Sequence, residues 1–388
     1  MSQSGADGWR LLRGTAQAAA DADVSATPDS RLGAQLNWNH GLKWDGALQA
    51  VALKRPPGAP VRDSVEWAYV GYRPAPNTRV RLGRTNPDAF LYAESRNVGY
   101  ALPWVRPPVD FYGSAPVAGV DGLDLEHRWP SGDAQWRARF TAGSFGVTIN
   151  SLSGNGVRVR ARDTAVLGLS REDGGLLIKA SVLRTRFQFD APAELLQLKD
   201  ALGQLAALPV PGLHDLIAPL QRNLWTRATV SYYALGAQYD SGPWTLITEA
   251  SNLVVPDTPL GARRGYVSLS YRANSVSYYG LASRVMPKDP LGSVPDLATA
   301  LTPVIGAQAA AMAQQLANGA GAAAQSSRFD QSTVGVGLRW DFRRNAALKL
   351  QVDRFKVHPN GGAQWTHSDA GAARGTLVSA VVDFVWGQ

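Results

Sequence analysis

The chain has 388 residues, 45% of them hydrophobic, with a formal net charge of +8 and a mean hydropathy of −0.16. No window supplies the roughly 20 uninterrupted apolar residues that a membrane-spanning helix needs: the most apolar helical stretch, Val304 to Ala324, is broken by Gln308, Gln314, Gln315 and Asn318. There is no cysteine, which excludes disulfides, thiolate metal sites and cysteine nucleophiles and suits an oxidising envelope.

In chain order, period-two alternation predicts strands over 9–20, 30–39, 43–54, 62–73, 77–85, 119–129, 134–145 and 162–171. The second half continues with 175–186, 227–240, 243–252, 263–272, 275–286, 331–341, 346–357 and 375–386. These sixteen segments have the length that a tilted membrane strand needs, and their number is even. Their connections alternate short and long. His40-Gly41-Leu42, Pro74-Ala75-Pro76, Pro130 to Asp133, Glu172-Asp173-Gly174, Ser241-Gly242, Ala273-Asn274 and Arg343-Arg344-Asn345 are compact clusters of turn residues. The longer segments are 21–29, 55–61, 86–118, 146–161, 187–226, 253–262, 287–330 and 358–374. Sorting by parity puts turns on one rim and loops on the other, as in an outer-membrane barrel, and a sandwich or propeller has no reason to do so.

Aromatic residues mark the short-turn rim: Trp38 and Trp44, Trp129 and Trp136, Tyr239 and Trp244, Tyr271 and Tyr278, Trp340 and Phe342, Phe384 and Trp386. Amphipathic rings beside turns suit the headgroup level of a bilayer. In 331–341, Val334, Val336, Leu338 and Trp340 alternate with Thr333, Gly335, Gly337, Arg339 and Asp341, and the last strand has an unbroken apolar face of Val378, Ala380, Val382, Phe384 and Trp386. Charge on that face would cost a few kcal/mol at mid-depth, so the polar set is expected to face water inside. The expected fold is therefore all-β: one transmembrane antiparallel barrel over 1–388 with short periplasmic turns and long extracellular loops.

The third long segment carries the most specific wording, from Phe90-Leu91-Tyr92-Ala93-Glu94-Ser95 through Gly99-Tyr100-Ala101-Leu102-Pro103-Trp104-Val105-Arg106-Pro107-Pro108-Val109-Asp110-Phe111-Tyr112-Gly113. With it the chain resembles a 16-stranded Gram-negative porin, of the porin-like proteins of proteobacteria rather than the general porins, whose acidic constriction motif is missing. The terminal Gly387-Gln388 after Trp386 departs from the family's aromatic ending. The resemblance implies that 86–118 folds inward as a constriction loop, that the chain sits in the bacterial outer membrane among lipid and lipopolysaccharide, and that it forms a homotrimer. Met1 to Gly8 is short and polar, so a signal peptide is expected to have been removed.

A channel discriminates by width, donors and field. The expected inward set is Arg79, Arg81, Arg137, Arg139, Arg272, Arg339, Lys179 and Lys349, with Glu66, Glu249 and Asp353 as acids. The third loop adds Tyr92, Glu94, Arg96, Arg106 and Asp110. Arginine dominates the cations, with only seven lysines among 39, and its planar fork suits carboxylate and phosphate. A basic stripe facing acids across the lumen would give a transverse field and a mild anion preference. Arg158, Arg160 and Arg162 are placed in the fourth loop, where they would meet lipopolysaccharide phosphates or funnel anions.

Leu195, Leu198, Leu202 and Leu205, then Leu213, Leu216, Ile217 and Leu220, follow helical spacing, with Asp190 as a candidate cap; Leu297, Leu301, Val304 and Ile305 precede an alanine-rich run through Met312 and Leu316. Loops 187–226 and 287–330 are thus helical insertions, packing on each other over the mouth or serving a partner. The five histidines (His40, His127, His214, His358, His367) lack metal spacing, Gly335-Val336-Gly337 lies within a strand, and no Ser, His and acid grouping falls at one depth. No catalytic residue, metal, cofactor or nucleic-acid partner is expected. The expected function is passive diffusion of small hydrophilic solutes or ions. The alternatives are a substrate-specific channel for anions or organic acids, and a barrel whose loops bind a partner.

Overall fold

The structure, a computed structural model, describes residues 2–4, 10–113, 119–150, 156–359, 361, 365–366 and 373–387. Its strands are β1 (Ser2–Ser4), β2 (Arg10–Leu11), β3 (Leu32–His40), β4 (Trp44–Ala52), β5 (Val65–Ala75), β6 (Thr78–Thr85), β7 (Val120–Ser131), β8 (Ala134–Asn150) and β9 (Gly156–Asp173). They continue as β10 (Leu176–Phe189), β11 (Arg227–Ser241), β12 (Trp244–Val254), β13 (Ala262–Ala273), β14 (Val276–Pro287), β15 (Gln331–Arg343), β16 (Ala346–Val357), β17 (Trp365–Thr366) and β18 (Ala373–Phe384). The helices are α1 (Val109–Tyr112), α2 (Ala193–Ala206), α3 (Leu213–Asn223), α4 (Leu297–Ile305) and α5 (Ala307–Ser326).

Sixteen strands form one antiparallel sheet, in the order β1, β18, β16 and then down the chain to β3, while β2 and β17 form a separate ladder. The sheet curls into a barrel because its two faces want different surroundings. One face carries Leu36, Leu82, Leu167, Leu235, Val334, Val336, Val378 and Val382 fully open to the outside. The other face carries the buried polar set of Arg81, Asp124, Arg139, Lys179, Glu249, Lys349 and Asp353. An apolar belt without charge is the surface a bilayer core accepts at no cost. Paired rings close it at the short-turn end: Trp44 with Tyr72 and Trp244 with Tyr271, both at 4.8 Å between centroids, and Trp129 stacked on Trp136 at 6.2 Å. The short turns sit at that end. Gly242 (φ +57°) and Asn274 (φ +55°) take the left-handed backbone that glycine, and next to it asparagine, adopts at least cost.

Two expected segments need correction. Among the described residues, no transmembrane strand covers 10–20. Only Arg10–Leu11 are extended, pairing with Trp365–Thr366, and the sheet's own first strand is the short β1. The backbone of the intervening segment turns inward instead: Thr15 N–H donates to the Gly113 carbonyl at 3.0 Å, and Arg13 pairs with Asp29 at 3.0 Å. Among the described residues, a single bridge from Ser2 to Val24 links β1 toward β3, and β3 is exposed along all nine residues. The second correction is to the loop at 146–161. After a bulge between Gly143 and Phe145, β8 continues to Asn150 and β9 starts at Gly156, because Phe145, Val147, Val159 and Ala161 pack into a small core of their own.

Both helical insertions stack at the loop end. Leu202, Leu205, Leu213, Ile217 and Leu220 of α2 and α3 share one core with Leu297, Leu301, Ala310, Ala313 and Ala317 of α4 and α5. Asp296 caps α4 by accepting from the Thr299 N–H at 3.0 Å, whereas Asp190 caps no helix and instead holds Arg160. His367 and residues 114–118 and 151–155 lie outside the described residues.

Candidate channel lumen

Residues 86–113, after β6, lie inside the barrel and are held along their length. Moving down the chain, Asp88 pairs with Lys179 at 2.5 Å and Arg137 at 3.0 Å, and the Leu91 N–H donates to Glu249 at 2.9 Å. The Tyr92 hydroxyl donates to Gln238 at 2.9 Å, Glu94 meets Arg139, and Arg96 pairs with Glu66 at 2.9 Å. Lys349 donates to the carbonyls of Gly99 and Leu102 at 2.7 and 2.6 Å, and Arg339 to that of Tyr100 at 2.7 Å. The indole N–H of Trp104 donates to Ser268 at 2.8 Å. Arg106 joins Asp29 at 2.6 Å to Asp353 at 3.2 Å, and Asp110 accepts from Gln331 and Ser283 at 2.6 and 2.7 Å.

An apolar filling completes the attachment. Phe90, Ala93, Trp104 and Phe111 are buried against Tyr232, Ile247, Tyr266, Tyr279 and Leu281 of β11 to β14. Edge-on ring contacts at 5.3 Å between Phe111 and Tyr266 and 5.7 Å between Trp104 and Tyr266 are the geometry that aromatic quadrupoles favour. The segment's apolar side therefore lies against β11 to β14, while Asp88, Glu94 and Arg96 reach across to β8 and β5.

The opposite arc, β3 to β8, carries the polar wall. Two arginine pairs stand on it as expected, Arg79 with Arg81 on β6 and Arg137 with Arg139 on β8. Between them β7 places Asp124 and Glu126, directly opposite Arg81 and Arg79 in register. Arg81 and Arg139 both bind Asp124, at 2.6 and 2.8 Å. Arg79 binds Asp45, and Arg137 reaches Glu126 at 3.4 Å. The acids thus interleave with the cations on one wall, where the sequence suggested acids across the lumen. Glu66, Glu249 and Asp353 are consumed by the inward segment instead.

The pairs are unequally open to water. The side chains of Arg128, Arg73, Arg79 and Arg137 keep 57, 38, 23 and 23% of their surface. Their partners Asp45, Asp88 and Glu126 keep 5, 5 and 9%. In these pairs water meets the cations first, whereas Glu94 and Asp121, at 39 and 50%, are more open than their partners Arg139 and Arg84. Gln35, Asn37 and Asn39 of β3 extend the same surface as exposed neutral donors and acceptors.

Of the residues expected to line the pore, Arg79, Glu94, Arg96, Arg137 and Arg339 are part-buried against the inward segment or its wall, and Arg272 stands exposed at the short-turn end, 3.9 Å from Asp341. Glu66, Arg81, Arg106, Asp110, Arg139, Lys179, Glu249, Lys349 and Asp353 are buried. Tyr92 is half-buried beside Trp104. Arg158 and Arg160, expected to be free for anions, are held by Asp63 and Asp190 at 2.6 and 2.8 Å. The sequence reading missed Asp29, Asp45, Asp88, Asp124 and Glu126. The last two alternate with Leu123 and Leu125, so face assignment on 119–129 would have found them.

The architecture is that of a porin-like transmembrane barrel. No family model matches the sequence, and no curated protein matches it. Solved structures similar over nearly the whole chain include OmpF of Salmonella typhi (12% identity, 98% of this chain and 96% of that one, TM-score 0.49). The outer-membrane channel DcaP of Acinetobacter baumannii (12%, 96% and 93%, TM-score 0.48) and the anion-selective porin of Comamonas acidovorans (10%, 92% and 90%, TM-score 0.47) are further examples. The fold assignment itself rests on this chain's own strand register and lumen.

Proposed function

We propose that this protein is an outer-membrane porin whose lumen passes small hydrophilic solutes by passive diffusion, with a mild preference for anions. The observation that carries the reading is the unequal exposure of four arginines on the β3 to β8 arc, Arg73, Arg79, Arg128 and Arg137, which are open to water while Asp45, Asp88 and Glu126 are withdrawn. A charge open to the aqueous lumen acts on a passing ion, and a buried partner only partly cancels it at short range. The sixteen residues expected at the pore take three roles in this reading. Arg79, Arg137 and Arg272 present charge to solutes, Arg81 is locked into the wall by Asp124, and the others belong to or tether the inward segment that sets the width.

The exposed edge strand β3, with Leu32 and Leu36 standing free, supports a homotrimer in which this side meets a second copy rather than lipid. Lipopolysaccharide is the neighbour this location implies at the loop end.

Planar-bilayer recording under a potassium chloride gradient tests the reading. Steady current steps with a reversal potential displaced toward the chloride equilibrium value are expected. Absence of conductance from folded protein, or a displacement toward potassium, would overturn it.

A further inference from the structure

Every other deeply buried cation on the lumen wall has a partner: Arg81 and Arg139 share Asp124, Lys179 has Asp88, Lys349 has Asp383. Arg264 does not. It lies on the inward face of β13 with 5% of its surface exposed, and its Nε and Nη2 are enclosed without a hydrogen-bond partner. No carboxylate lies within ion-pair distance of it among the described residues. Two hydroxyls stand beside it: that of Ser251, directly opposite in register on β12, and that of Tyr232 on β11, which adjoins both Ser251 and Arg264. Phe90 of the inward segment packs against the Tyr232 ring at 5.5 Å, so apolar surface adjoins this group.

A buried guanidinium without a counter-charge is costly, and such groups are nearly always paired or bound to an ion. Here one planar donor fork and two hydroxyls converge in a site of low polarity. That donor set matches a small tetrahedral or planar oxyanion, whose oxygens accept from a guanidinium fork and from hydroxyls. We infer that Arg264, Ser251 and Tyr232 form a binding site for a small oxyanion of the phosphate, sulfate or carboxylate kind.

The location suits a captured solute. Arg264 is three residues below Gly261, which lines an open pocket of about 890 Å³ at the loop end, as does Val254, three residues beyond Ser251. At about 3.3 Å per residue along a strand, the site sits roughly 10 Å beneath that pocket. The inference deepens the anion-biased reading of the lumen and rests on it for the access of solutes.

The test is calorimetric titration of inorganic phosphate into the full chain folded in detergent, comparing the unchanged protein with Arg264→Gln, folding being checked by circular dichroism. Saturable binding that weakens about thirtyfold or more in R264Q is expected, since truncating one partner of a desolvated charge pair costs at least that much. Absence of binding to the unchanged protein, or equal binding by folded R264Q, overturns the site. Should R264Q not fold, the Ser251→Ala, Tyr232→Phe double variant keeps the charge and is expected to weaken phosphate binding severalfold; unaltered binding there also overturns the site. Selenate soaked into crystals, located by its anomalous signal, should lie on Arg264, and selenate found elsewhere only would count against it. Anion-biased currents without phosphate binding would sink the site alone, and phosphate binding with cation-biased currents would sink the passage reading alone.

Discussion

Arg139 donates to the Asp124 carboxylate at 2.8 Å, and neither side chain is open to water. The same carboxylate holds Arg81 at 2.6 Å, so one acid on β7 restrains cations from both neighbouring strands. Removing it uncovers two positive charges at once.

The Asp124→Asn variant should therefore shift the reversal potential further toward chloride. It should also unfold at lower denaturant concentration, because breaking a buried pair costs about 3–5 kcal/mol. An unchanged reversal potential in a folded D124N channel would show that this wall does not set selectivity.

The water-facing cations give the opposite expectation. Arg79→Gln with Arg137→Gln leaves Asp45, Asp88 and Glu126 with less compensation and should reduce or invert the anion preference. Conductance should persist, since neither residue is fully enclosed. Reversal potentials at two salt concentrations check this, with the difference between variant and parent shrinking at high salt.

Trp104 is enclosed among Tyr92, Tyr266 and Ser268, and it pins the inward segment to β13. Trp104→Ala should cost about 3–5 kcal/mol through the cavity it leaves. Loss of that anchor should also appear as noisier, larger single-channel steps. Equal noise and equal step size would place the width control elsewhere.

At the loop end, the Asp296 carboxyl is held below its usual range by the N–H and hydroxyl of Thr299 at the start of α4. A folded value below the unfolded one means stability that is present above the unfolded value and lost as pH falls through the folded one. Protection from hydrogen exchange over α4 and α5, taken relative to the intrinsic rate at each pH, should accordingly be high at neutral pH and fall on acidification below the ordinary carboxyl range. Asp296→Ala should show the lower protection already at neutral pH.

Fifteen strands of the barrel were legible from alternation because one face of each meets lipid and the other water, a contrast that period two records directly. The first strand misled because Thr15, Ala16, Gln17 and Ala18 alternate in the same way, yet Arg10 and Arg13 just before them pair with Asp23 and Asp29 in a local inward turn. The inward face could be assigned, but its ion pairs could not, since which acid meets which arginine depends on register between strands. Arg264 was passed over for the same reason: a lone cation and a paired one look alike in a sequence.

The inward segment also constrains the order in which the molecule can assemble. Val105 is fastened to Gln351, and Arg106 to Asp353 and Ser379, contacts separated by 246 residues or more along the chain. A ring of strands that shut first would leave no route for this segment to thread inside. It must be seated against β10 to β14 while the wall is still open, with β16 and β18 arriving afterwards as the closing staves. Contacts of such separation form slowly, so the final closure is where folding of this barrel should wait.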